Sequence, residues 1–147
     1  GTGKIYLDRK LITEQKADLI AIQRAVAQKA EEFPGVYKAY TAHDLSTKEY
    51  TEGQAELIQN GYHNKESADV IIALDPGWQG GGNQGTTHGS GWTYDTHVPI
   101  IMYGWGIKPG NSVRYTTITD IAPTISMLLN MRLPNGATGQ PIKEVFK

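Results

Sequence analysis

The stretch Asp69-Val-Ile-Ile-Ala-Leu74 is a short apolar run that is bounded downstream by Pro76 and Gly77. Consecutive β-branched and apolar residues of this length are typical of a strand that is buried on both of its faces. Three other segments also have the composition of strands, and we expect the last of them to be a second buried strand: Ile5 to Leu7, Val36 to Ala42, and Val98 to Tyr103.

Helical patterns lie between these strand-like segments. The first predicted helix begins with Thr13 as its N-cap and carries apolar residues at helical spacing up to Phe33, where Pro34-Gly35 ends it. The string Thr51-Glu-Gly-Gln54 resembles a capping box and predicts a helix that ends at Gly61. Thr119 is the predicted N-cap of a last helix. Because strands and helices alternate, we expect a single α/β domain over residues 1–147.

Composition narrows the class of protein. With 147 residues, 39% hydrophobic and 20% charged, the chain can bury a core and is neither a disordered tail nor a membrane-spanning protein. The net charge of −1 gives no basic patch for nucleic acid or an anionic membrane. The absence of cysteine excludes disulfides, thiolate catalysis and cysteine-bound zinc. The chain opens with Gly1-Thr-Gly3 and has no signal peptide, so we expect a processed or excised piece.

Chemistry-bearing side chains are densest between Gly85 and His97, a segment with two of the four histidines, a carboxylate and several hydroxyls. It precedes the predicted strand at Val98, and loops beside strand ends form clefts in α/β folds. His88 is followed by Gly89, and a neutral imidazole there could bind zinc. Zinc needs about three or four ligands, however, and no local ligand pair completes a site. The residues alone also allow a loop histidine that is bonded to backbone.

Other polar residues admit a structural and a functional interpretation. Asp95 and His97 would point the same way from an extended segment and could support a metal ligand, but we favour their ordering the loop. Asp120 is interpreted as a partner of the helix dipole rather than a ligand. The glycine-rich stretch 80–85 is interpreted as a flexible rim rather than a phosphate cradle. His63 is expected to be solvated.

Three tryptophans and one His-Asp pair complete the set of candidates. Trp78, Trp92 and Trp105 could stack on a substrate, but we expect them to pack as lids on the core. His43-Asp44 is interpreted as structural or surface-exposed.

Several strings occur in an order that is similar to the C-terminal segment of a known family. They are Gly85-Thr-Thr-His-Gly-Ser90, Tyr94-Asp-Thr-His-Val-Pro99, Tyr103-Gly-Trp-Gly-Ile-Lys-Pro-Gly110, Ile118-Thr-Asp-Ile-Ala-Pro-Thr124 and Gly139-Gln-Pro-Ile142. The family is the bacterial alkaline phosphatases of the type I phosphodiesterase/nucleotide pyrophosphatase-like group, within the alkaline phosphatase superfamily. The resemblance implies part of an α/β/α sandwich, a site for two zinc ions, and a periplasmic or secreted location.

The resemblance also assigns roles to residues. His88 takes the role of the last metal ligand in the chain, whereas the nucleophile and the other ligands belong upstream. His43-Asp44 lies in the wrong order to replace the family's Asp-His metal pair. We therefore expect no catalytic residue in this chain and no turnover by the chain alone.

The expected function is that of the C-terminal region of a phosphomonoesterase. A phosphodiesterase or nucleotide pyrophosphatase of the same superfamily, and a non-catalytic ligand-binding or packing module, are the alternatives. The expected partners are a phosphate-ester substrate and the N-terminal part of the same chain. Without that part, an exposed apolar patch should remain, which could lead to dimers.

Overall fold

The computed structural model describes residues 2–80 and 88–146, which fall into two compact units divided after Val98. The first unit contains strands β1 (Thr2–Ile5), β2 (Val36–Thr41) and β3 (Val70–Leu74) and helices α1 (Arg9–Glu14), α2 (Leu19–Glu31), α3 (Ala42–Thr47), α4 (Gly53–Asn60) and α5 (Thr93–Thr96). The second unit contains α6 (Ile121–Leu128) and two 3-10 turns, Ile118–Asp120 and Lys143–Val145. None of the helices in the described part could cross a membrane, the longest having 13 residues.

The sheet of the first unit has the order β1-β3-β2, and both pairings with β3 are antiparallel. On one face, Val70 of β3 packs with Ala27 and Ala30 of α2. On the other face, Ile71 and Ala73 pack in a cluster with residues of α3 and α4. The prediction of a strand buried on both faces is therefore confirmed for β3, and helices on both sides of the sheet confirm the layered α/β class.

Asp69, at the start of β3, joins several elements of the first unit. Its carboxylate is buried and accepts hydrogen bonds from the Leu7 backbone N–H (2.9 Å), Arg9 Nε (2.9 Å) and Gln23 Nε2 (3.0 Å). Burial by itself raises the pKa of this carboxyl, but the hydrogen bonds from Leu7, Arg9 and Gln23 outweigh it and hold the pKa below its ordinary value. Asp69 thus ties the segment after β1, α1 and α2 to the central strand.

The predicted helix from Thr13 to Phe33 is in fact two helices. Asp8 caps α1 by accepting from the Leu11 N–H, and Asp18 caps α2 by accepting from the Ile20 N–H. Thr13 lies inside α1 and is not an N-cap. Lys16, between the helices, has a φ of 53°, a left-handed conformation that interrupts a helix.

The prediction of a strand at Val98 to Tyr103 is wrong, because the structure has no strand there. The side chains of Val98, Ile101 and Tyr103 are exposed, and no strand in residues 2–80 or 88–146 pairs with the segment. A strand needs neighbouring backbone groups for its own N–H and C=O groups, so an apolar pattern alone cannot make one.

Two predicted caps are also wrong, although the helices exist. α4 has Glu52 rather than Thr51 at its N-cap position, without a side-chain cap, and ends at Gly61 as predicted. Before α6, the N-cap residue of the 3-10 turn is Thr117 rather than Thr119. Short α3 was not predicted, and Thr41 caps it by accepting from the Asp44 N–H at 3.0 Å.

In the second unit, residues 140–142 are bonded to the beginning of α6. The Asp120 carboxylate accepts from the Thr117 N–H (3.0 Å) and the Gln140 N–H (2.8 Å), which lowers the pKa of Asp120. The fully buried Thr124 hydroxyl donates to the Asp120 carbonyl (2.6 Å) and accepts from the Ile142 N–H (2.8 Å). Asp120 therefore has a structural role here, in line with its interpretation as a helix-terminus partner.

Replacing Thr124 with valine is expected to lower the free energy of unfolding by about 1–3 kcal/mol, because the Ile142 N–H loses its acceptor in a buried place. Thr124→Ser keeps the hydroxyl and should cost only about 1 kcal/mol for the lost methyl group. Urea unfolding followed by circular dichroism measures both variants. Equal losses in the two variants would show that the hydroxyl is unimportant.

Candidate functional site

Segment 88–97 is attached to the end of β3 by aromatic side chains. Trp92 Nε1 donates to the Leu74 carbonyl at 2.9 Å, and its ring meets the Tyr37 ring edge-on, with centroids 5.1 Å apart. The Tyr94 hydroxyl accepts from the Gly77 N–H at 3.0 Å. These contacts place the segment beside the carboxyl end of the central strand.

Hydrogen bonds between Ser90 and Asp95 fold segment 88–97 into a turn. Asp95 Oδ2 accepts from the Ser90 hydroxyl at 2.6 Å and from the Ser90 N–H at 2.9 Å. The hydroxyl bond, followed by the backbone bond, lowers the pKa of Asp95. The carboxylate therefore stays ionised and holds the turn that follows His88. Sequence reasoning did not identify Ser90, although a hydroxyl between two glycines and near a carboxylate is a usable signal.

His88 has an exposed side chain, and Gly89 after it has a φ of 96°, which favours glycine. An exposed imidazole on a braced turn is chemically suited to bind a metal ion. In residues 2–80 and 88–146, no three side chains of the His, Cys, Asp or Glu type are grouped as a metal site would need. A zinc site that includes His88 would need ligands from outside these residues, and the role of His88 as a zinc ligand stays a prediction.

His97 does not pair with Asp95 in the predicted way. Asp95 belongs to α5 and His97 caps its C-terminus, so the segment is helical and the two side chains do not share a side as they would in a strand. His97 is exposed, and its N–H donates to the Thr93 carbonyl at 2.9 Å. The interpretation that Asp95 orders the loop is confirmed by its bonds to Ser90.

The three tryptophans differ from one another. Trp92 is packed as predicted, and Trp78 lies over Gly35, where any side chain would overlap its ring. Trp105, in the second unit, is 97% exposed, so the prediction that it packs on the core is wrong.

The remaining predictions concern histidines and the glycine-rich stretch. His63 is exposed, as expected. The His43 N–H donates to Gln23 Oε1, and the Asp44 carboxylate pairs with Lys48, which agrees with a structural role. Most of the glycine-rich stretch lies within 81–87, outside the described residues.

The chain is similar to alkaline phosphatases over nearly its whole length. It is 36% identical over 144 residues to alkaline phosphatase PafA of Elizabethkingia meningoseptica, a match that covers 97% of this chain and 26% of the relative. It is 33% identical over 145 residues to alkaline phosphatase PhoV of Synechococcus elongatus, covering 99% and 26%. A protein of Myroides odoratus named calcium-transporting ATPase is 34% identical over 146 residues, covering 98% and 27%.

The fold agrees with the sequence match. The crystal structure of wild-type alkaline phosphatase PafA superposes with a TM-score of 0.87 and 34% identity, covering 98% of this chain and 28% of that one. No protein-family model matches the chain. The chain belongs to the alkaline phosphatase superfamily, which confirms the resemblance drawn from its motifs. It spans about a quarter of the length of the curated relatives it matches.

Proposed function

We propose that this chain is the C-terminal region of a zinc-dependent phosphate-ester hydrolase, to which it contributes His88 as one metal ligand. The observation that carries the proposal is the exposed imidazole of His88, on a turn braced by Ser90 and Asp95. This turn lies beside the end of β3, in a chain 33–36% identical to proteins named alkaline phosphatase.

In that reaction, the proposed roles of this chain's residues are to bind the metal ion and to orient the imidazole that holds it. The neutral imidazole of His88 would hold zinc, and the ionised carboxylate of Asp95 adds negative charge beside it. Zinc, when bound, supplies a positive charge that polarises the phosphoryl group and stabilises the leaving oxygen. The turn closed by Ser90 limits the positions that the imidazole can take.

The nucleophile and the other ligands would belong to the rest of a longer polypeptide, here called the full-length enzyme. The chain alone would then lack turnover. Phosphomonoesters are the proposed substrates, with phosphodiesters or nucleotide pyrophosphates as the alternative. A periplasmic or secreted location follows from the resemblance.

A packing role is the second candidate, and the apolar face of the second unit favours it. A groove of about 490 Å³ is lined by apolar side chains from residues 100–107 and from α6. Among its lining residues, Ile101, Tyr103 and Trp105 are 85–101% exposed. Contiguous apolar surface of this kind marks an interaction site. We assign it to the remainder of the full-length enzyme, because the chain spans only about a quarter of its relatives.

Hydrolysis of a chromogenic phosphate monoester, with and without added zinc, tests both candidates. We expect zinc-dependent turnover by the full-length enzyme and none by this chain alone, because one imidazole cannot complete a coordination sphere. Turnover by the chain alone would contradict the proposed division of the site. A full-length enzyme without any phosphatase activity would favour the packing role.

A further inference from the structure

The side chain of Gln54, in the first turn of α4, lies directly against Gly91. Gln54 is only 8% exposed. A Cβ atom added at Gly91 would overlap Gln54 Oε1, its nearest neighbour, and would stand 2.9 Å from Cδ and 3.1 Å from Nε2 of the same side chain, closer than real Cβ atoms normally approach such atoms. Gly91 is not among the residues with positive φ, so its backbone does not require glycine. With the buried Gln54 side chain where it is, a Cβ at position 91 has no room unless the Gln54 amide moves.

Gln54 contacts Gly91 by steric packing, and its amide nitrogen makes no hydrogen bond to Gly91. Gln54 Nε2 is buried and has no hydrogen-bond partner among the described residues. A buried donor without an acceptor costs about 1–3 kcal/mol, so this amide does not serve stability by hydrogen bonding there. What it supplies is volume, which fills the space left by the missing side chain at position 91.

Gly91 connects the two braced parts of segment 88–97. Ser90, on one side, is bonded to Asp95, and Trp92, on the other, is bonded to the Leu74 carbonyl. Those bonds attach the segment to itself and to β3, whereas Gln54 contacts it from α4. The Gln54 side chain therefore limits how close to α4 the backbone that leads to His88 can lie.

We propose that Gln54 is a positioning residue, which sets the location of His88 by packing against Gly91. The inference rests on the proposed function, because it concerns the affinity of the full-length enzyme for the zinc ion that His88 would hold. Residues that are hydrogen-bonded to a metal ligand change metal affinity about 10–100-fold when they are altered, and we take the lower end for packing against Gly91.

The test uses Gly91→Ala, Gln54→Ala and the double variant of the full-length enzyme. Zinc affinity is measured by competition with a chromogenic chelator, and thermal unfolding is measured in parallel. We expect each single variant to bind zinc about 10-fold more weakly. The double variant should regain most of the loss of Gly91→Ala, because the smaller residue 54 makes room for the new methyl group.

Two controls separate positioning from a general loss of structure. Gly61→Ala, at the end of α4, adds a Cβ whose nearest neighbours are 3.8 Å away, and zinc affinity should not change. Gln54→Met keeps the volume and removes the unpaired amide, so it should retain both thermal stability and zinc affinity. If Gly91→Ala fails to fold, the comparison of Gln54→Met with Gln54→Ala still tests the inference.

Two outcomes would overturn the inference, and they differ in what they leave standing. If His88→Ala weakens zinc binding but Gln54→Ala does not, or if the double variant shows only the sum of the single losses, Gln54 does not position His88. The proposed function would survive that result. If His88→Ala leaves zinc binding unchanged, the proposed function and this inference both fail.

Discussion

Replacing His88 with alanine in the full-length enzyme is expected to lower kcat/KM for a phosphomonoester by at least about 100-fold. A metal ion contributes several kcal/mol of charge stabilisation to the transition state, and each 1.4 kcal/mol corresponds to about a factor of ten. Under the proposed function, the variant loses one ligand and leaves the zinc coordination sphere short of the three or four that it needs. Zinc content after dialysis, measured by atomic absorption, should fall together with the activity.

The chain offers matched controls for this variant. His63 and His97 are also exposed and lie in the same unit. Their hydrogen bonds with neighbouring residues are made by their own backbone N–H and C=O groups, which alanine keeps. His63→Ala and His97→Ala should therefore retain zinc and activity. Full activity in His88→Ala would refute the assignment of this imidazole as a ligand.

Replacing Asp69 with alanine is expected to lower the free energy of unfolding of the chain by about 2–3 kcal/mol, since the groups that donate to the buried carboxylate lose their acceptor. The Leu7 N–H, the Arg9 guanidinium and the Gln23 amide would lose their common acceptor. Urea unfolding near neutral pH measures the loss. Glu14→Ala, which removes an exposed ion pair with Lys10, should change stability by less than about 0.5 kcal/mol. Equal effects of the two changes would contradict the role of Asp69.

The same carboxylate predicts a pH dependence. Burial opposes ionisation of Asp69, but its hydrogen bonds hold its pKa in the folded chain below the ordinary value of about 4. Its stabilising effect is then present above that ordinary value and is lost as the pH falls through the lower pKa of the folded state. The difference in stability between the unaltered chain and Asp69→Asn should therefore shrink below about pH 4. A difference that stays constant down to low pH would argue against an ionised Asp69.

The central strand could be predicted from sequence, whereas the segment from Val98 to Tyr103 could not. Both are short apolar runs. β3 has a neighbour on each side, so its backbone groups are paired and its side chains meet helices on both faces. The later segment has no neighbouring strand among the described residues, and local composition does not record whether a neighbour exists. The start of the first predicted helix was also wrong. Thr13 and Asp18 both have side chains that can cap a helix, and local sequence does not show that the chain breaks at Lys16 between them.

The candidate site was predictable only in part. The assignment of His88 as a metal ligand was based on a resemblance to a family rather than on the spacing of residues, and it stays a prediction. The single-domain organisation also stays a prediction. The contact between Gln54 and Gly91 joins residues far apart in sequence, so no local pattern could reveal it. The brace between Ser90 and Asp95 is local, but it depends on the helical turn of α5, which the sequence pattern did not indicate.

The central position of β3 has a consequence for synthesis on the ribosome. β1 and β2 pair with β3 and not with each other, so the pairings of these three strands cannot form until residues 70–74 have emerged. Leu7 is 62 residues ahead of its partner Asp69, which corresponds to roughly 3–12 s of translation at ordinary rates. During that interval the apolar face of α2 is without its sheet, and chaperones that recognise exposed apolar helices can bind it.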